Sequence, residues 1–163
     1  MKKFLLLLVS VLVFTACDSS DDSSLDFDSD IRVDEIEFAP TNASVSNGTA
    51  IMPGDGAIAF ALTKDTFGNS DYEAINFTIN YPLTSSSAPN GVYEFGIGVI
   101  GQVLFAQGSY VKGSTAYSLA GNTVQVTVLS NNEYRLDFQN IEAVNPLNDE
   151  VVIISGYYEG EMD

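Results

Sequence analysis

From Ile31 onward, apolar and polar residues alternate with a period of two rather than 3.6. Val124, Val126 and Val128 alternate with Gln125 and Thr127, and Tyr134, Leu136 and Phe138 alternate with Arg135, Asp137 and Gln139. Ile75, Phe77, Ile79 and Tyr81 alternate with Asn76, Thr78 and Asn80, and Tyr93, Phe95 and Ile97 with Glu94 and Gly96. Segments 33–39, 57–63, 103–111 and 151–159 read as further strands. Turn clusters separate them: Pro53-Gly54-Asp55-Gly56, Phe67-Gly68-Asn69-Ser70, Ser85 to Gly91, Ala120-Gly121-Asn122 and Asn145 to Asp149. No window carries a helical stripe. The pattern predicts one all-β domain over 31–163, an antiparallel β-sandwich of about eight to ten strands, with a small β-barrel as the alternative.

Register can be read at one hairpin. Pairing around a two-residue Asn131-Asn132 loop sets Val128 against Arg135 and Val126 against Asp137, which puts charges on the apolar face. A shift of one residue sets Val128 against Tyr134, Val126 against Leu136 and Val124 against Phe138. A one-residue slip flips a whole strand face, so the second register is expected. It needs an odd loop, read as three residues with Asn132 left-handed. Val151–Ile154 is apolar on both faces, which predicts a central strand. Tyr157 and Tyr158 must then point to opposite faces. This last strand is also the candidate for an unpaired edge.

Upstream of residue 31 the alternation stops. Met1-Lys2-Lys3 is basic, and residues 4–14, FLLLLVSVLVF, are apolar but for Ser10. A run of that length is too short to span a membrane and fits the apolar region of an export signal. Phe14-Thr15-Ala16-Cys17 follows and contains the chain's one cysteine; residues 18–30 read DSSDDSSLDFDSD. The Thr-Ala-Cys sequence resembles the lipobox of bacterial lipoproteins. The Ser/Asp tract behind it resembles the surface-export signal of lipoproteins from the Bacteroidota. The resemblance implies that residues 1–16 are removed and that Cys17 carries the lipid. It also implies display on the outer face of the outer membrane, with the periplasmic face as the alternative. Several acyl chains would hold the protein firmly, at about 0.8 kcal/mol per buried CH₂. Residues 17–30 form the lipidated cysteine and an acidic tether, too poor in apolar residues to fold by itself.

Composition narrows the chemistry. The chain has 163 residues, 6 Lys and Arg against 22 Asp and Glu, and neither His nor Trp. Without residues 1–16, the bases left are Arg32, Lys64, Lys112 and Arg135 against all 22 acids, a net charge of −18. Such a chain repels phosphate backbones, so nucleic acid is not an expected partner. Lack of His excludes Ser-His-Asp triads and His-ligated zinc. Gly96 to Gly101 matches G-x-G-x-x-G, but a strand pattern follows where a dinucleotide site needs a helix, so no nucleotide is expected. Ser109-Tyr110-Val111-Lys112 matches S-x-x-K, yet on a strand Ser and Lys face opposite ways.

Two acidic segments are candidate Ca²⁺ sites, and no other cofactor is indicated. Asp26, Asp28 and Asp30, with Asp34 and Glu37, have EF-hand spacing, but Ile31 stands where the loop needs Gly. Asn148, Asp149 and Glu150 offer oxygens in a turn. Carboxylate-dependent glycoside hydrolysis would need two of Glu73, Glu94, Glu133, Asp137, Glu142, Glu150 and Glu159 across a cleft. The expected function is non-enzymatic: an anchored binding module for a polysaccharide or an envelope protein. Tyr110, Tyr117 and Tyr157 are its candidate exposed contacts. The alternative is an accessory subunit of an outer-membrane complex.

Overall fold

The computed structural model describes residues 27–96 and 104–163. Twelve strands form among them: β1 (Phe27–Ser29), β2 (Ile31–Val33), β3 (Ile36–Phe38), β4 (Asn42–Asn47), β5 (Asp55–Lys64), β6 (Glu73–Pro82), β7 (Gly91–Phe95), β8 (Phe105–Lys112), β9 (Thr115–Ala120), β10 (Thr123–Ser130), β11 (Glu133–Val144) and β12 (Val151–Glu161). They join in one sheet of order β3-β2-β12-β11-β10-β7-β8-β6-β5-β4. β1 pairs with β12, and β9 bridges β11 and β8. The fold is all-β and sandwich-like.

The inward residues of β5 and β6 meet those of β11 across the core. Phe60 lies edge-on to Tyr134 at 5.2 Å and stacks on Phe77 at 5.1 Å. Phe77 also meets Phe95 and Phe138 edge-on. Such pairs contribute about 0.5–1.5 kcal/mol beyond their buried area. β11 is long enough to serve two neighbours, β10 along its first part and β9 along its last.

The β10–β11 hairpin takes the expected register: Val124 opposite Phe138, Val126 opposite Leu136, Val128 opposite Tyr134. Asn132 is left-handed. The odd residue sits in the strand rather than the loop, since Ser130 pairs with Glu133 and the register shifts between Val128 and Ser130. A bulge at Leu129 thus does what a three-residue loop was expected to do.

Other expectations are corrected. β7 and β8 run parallel, so the sheet is mixed. The segment 33–39 is a hairpin: Asp34 and Glu35 are both left-handed and turn β2 into β3. β4 and β9 went unread because the alternation of Asn42–Asn47 rests on Ala43 and Val45 alone and Thr115–Ala120 is short between glycines. β12 is no edge: β11 covers one side, and β1 and β2 the other.

Residues 27–30, expected to belong to an acidic tether, instead pack on the folded domain. Phe27 stacks on buried Tyr158 at 5.5 Å, and the Asp30 N–H donates to the Tyr157 carbonyl. Strand pairing and one aromatic contact therefore order a segment whose composition alone favours solvent. Residues 1–26, with Cys17 and Asp26, lie outside the described residues, as do Gly98 and Gly101 of the glycine motif.

Candidate functional site

The three tyrosines expected at the surface have different fates. Tyr110 and Tyr117 are buried. They face each other across β8 and β9 with rings 5.6 Å apart, because β9 turns its Tyr117–Leu119 side into the core. The Tyr110 hydroxyl donates to Glu73 at 2.6 Å. Burial, with that bond and the Glu73 charge, pushes its ionisation far above the ordinary range. Burial, then the neighbouring Glu150, raises that of Tyr117.

Tyr157 does reach the outer face, beside core Tyr158 as expected. Its ring is already covered: the Arg135 guanidinium sits 4.4 Å above the centroid. Its hydroxyl donates to Asp28 at 2.8 Å, which is the main cause of its raised pKa. Arg135 also binds Asp137 through Nε and Nη2, and Glu159 at 2.8 Å. Two of the candidate carboxylates thus converge, but on one guanidinium and on an open sheet face. No line of exposed tyrosines forms among the described residues.

Among the described residues, the calcium candidates do not assemble. Asp28 is held by Tyr157, and Asp30 by Arg32. β1 and β2 run extended where an EF-hand would loop. In the 145–150 turn, Asn148 Oδ1 accepts the Glu150 N–H, and Asn145 Oδ1 accepts that of Leu147. Such bonds are those of an ordinary turn. No group of three or more acidic or cysteine side chains suited to a metal occurs among the described residues.

A different surface stands out on the outer face of β4, β5, β6 and β8. Cross-strand pairing sets its side chains in two rows. One runs Ser46, Ala59, Thr78, Gln107, and the other Ser44, Ala61, Asn76, Ser109. The alanines of β5 are the lowest points, so the face is dished into a trough of about 340 Å³. The trough continues past Asn47, Gly48 and Thr49 to Asn80. None of its lining residues is charged, in a protein with 22 acidic side chains.

Asn80 is the unusual member. It points outward like Asn76 and Thr78, yet it is only 1 % exposed, because the 49–51 segment lies over it. Its Oδ1 accepts the Ile51 N–H at 3.2 Å. Its Nδ2 is buried without a hydrogen-bond partner. Leaving such a donor unpaired costs about 1–3 kcal/mol, and a buried donor of this kind calls for an explanation.

Sequence reasoning missed this face. The available signal was the polar half of the alternation. At 44–47, 76–80 and 107–109 it consists of Ser, Thr, Asn and Gln, as it also does at 123–127, whereas at 133–137 and 157–161 it includes Arg, Asp and Glu.

No family model, curated protein or solved structure matches this chain.

Proposed function

We propose that this chain is a lipid-anchored envelope protein whose β-sandwich is a non-catalytic binding module for a neutral glycan. The glycan lies in the trough over β4, β5, β6 and β8. The lipid anchor rests on the sequence around Cys17. The observation that supports the ligand class is a charge-free set of amides and hydroxyls, with the unpaired Asn80 amide at its end. Amides and hydroxyls match sugar hydroxyls as both donors and acceptors. The surrounding negative charge disfavours polyuronates and sulfated chains. Shallow alanines let a flat ligand approach the backbone.

The test is a thermal melt of the full-length protein with neutral and acidic polysaccharides. A neutral polysaccharide at 100 times its Kd adds about 2.7 kcal/mol, a shift of a few degrees. The outward Ala59→Leu substitution fills the trough and should abolish the shift without lowering the unliganded Tm. A shift retained in Ala59→Leu, or one given only by acidic chains, would overturn the reading.

The second reading, an accessory subunit, has one observation in its favour. β3 ends the sheet, and Ile36 on it is 66 % exposed. Crosslinks from Ile36 to one envelope protein on whole cells, with no glycan shift, would support it.

A further inference from the structure

We propose that the glycan is an extended linear chain, running along β6 and β8 from Asn80 to an aromatic end-subsite at Phe67; this rests on the glycan reading above. Phe67 is 82 % exposed. It stands at the tip of the β5–β6 connection, yet that loop is tightly braced. Asp65 Oδ1 accepts the Thr66 N–H at 2.6 Å and Asn69 Nδ2 at 2.7 Å. The Tyr72 N–H donates to the Asn69 carbonyl, and the Tyr72 carbonyl accepts the Gly113 N–H at 2.7 Å. The Tyr72 ring meets Phe67 edge-on, with centroids 5.3 Å apart and planes at 85°.

An aromatic ring is therefore held out in water by a loop that has already lost its freedom, so docking on it costs little further ordering. Beside it lies a pocket of about 770 Å³, walled by Asn69, Ser70, Val111, Gly113 and Ser114. A ring face flanked by an amide and hydroxyls suits the apolar face and the rim of a pyranose.

The two surfaces share a strand. Val111 lines the Phe67 pocket and lies on the same outer face of β8 as Gln107 and Ser109. It pairs with Ala74, while Asn80 lies at the far end of β6. Six residues from Ala74 to Asn80, at about 3.3 Å each, span about 20 Å, or about four hexose units in line.

The test is calorimetry of the full-length protein with linear neutral gluco-oligosaccharides, from the disaccharide to about eight units. The proposal predicts affinity that rises with length and levels off beyond about five units. Phe67→Ala should weaken the longest chains by about tenfold and leave the disaccharide unchanged. Phe67→Trp should retain the gain with length. Phe67 is too exposed for either change to threaten the fold. Affinity independent of length, or long chains binding Phe67→Ala as well as the parent, would overturn the extended path and leave the trough standing. Lack of binding by every oligosaccharide would overturn both.

Discussion

At Asn80 a carboxamide is taken out of water with its oxygen satisfied and its nitrogen not. A ligand acceptor would repair that, so function and stability should separate here. Asn80→Ala removes the unpaired donor along with the Ile51 bond. It should change unfolding free energy by no more than about 1 kcal/mol, while weakening glycan binding. A loss above about 2 kcal/mol in denaturant titration would make Asn80 a structural residue. Gly156 is the opposite case. Its φ is +99°, and a Cβ there would overlap the Asp30 carbonyl where the chain crosses β12. Gly156→Ala should cost about 2–4 kcal/mol by the same titration. A near-neutral result would mean that residues 27–31 do not pack on β12. At this scale the sequence was partly legible. Alternation required Tyr157 and Tyr158 to part, and they do. It could not say that Tyr110 faces in, because a period of two gives relative faces and not which face is wet.

Between Val124 and Phe138, apolar matching across two strands was strong enough to choose a register against the simpler loop. Phe138 is buried against Phe77. Phe138→Asp places a carboxylate in that contact and should abolish the cooperative melt; a wild-type melt would refute the core assignment. The Phe67 loop gives a pH prediction. The Thr66 N–H and the Asn69 amide hold the Asp65 carboxyl below its ordinary 3.8. A depressed folded pKa stabilises above the unfolded value and is lost as pH falls through the folded one. Loop order, followed by amide exchange of residues 66–72, should therefore persist at pH 5 and fade only below about pH 3.8. Asp65→Ala should speed that exchange at neutral pH; unchanged rates would mean that the loop is braced elsewhere. Elements built on alternation were legible. β1, β4 and β9 were not: β1 is held by β12, far along the chain, while β4 and β9, paired with the adjacent β5 and β8, are short and carry only two alternating apolar residues each, Ala43 and Val45, Tyr117 and Leu119.

The molecule as a whole separates its charge from its candidate site. Arg135, Asp137, Glu159 and Asp28 crowd the outer face of β11, β12 and β1, while the trough carries no charge. This division was present in the sequence, but only the strand order shows that β4, β5, β6 and β8 lie side by side. No His side chain titrates near neutrality. Burial raises the pKa of Tyr93 and Tyr110, and pushes Tyr158 up to about 12. Groups with raised folded pKa values stabilise fully below the unfolded value of 10 and lose that contribution as pH rises through the folded one. Stability should hold to about pH 10 and then fall, with tyrosine absorbance rising together with unfolding. Early ionisation of all eight tyrosines without unfolding would contradict the packing.

The most direct test of the central claim is a ¹⁵N–¹H spectrum of the full-length protein, titrated with a linear neutral gluco-oligosaccharide. The account predicts that the side-chain amide signals of Asn76, Asn80 and Gln107 move together and saturably, while the Arg135 Nε signal stays still. Movement centred on Arg135 and the strands around Tyr157, or no movement at Asn80, would contradict it.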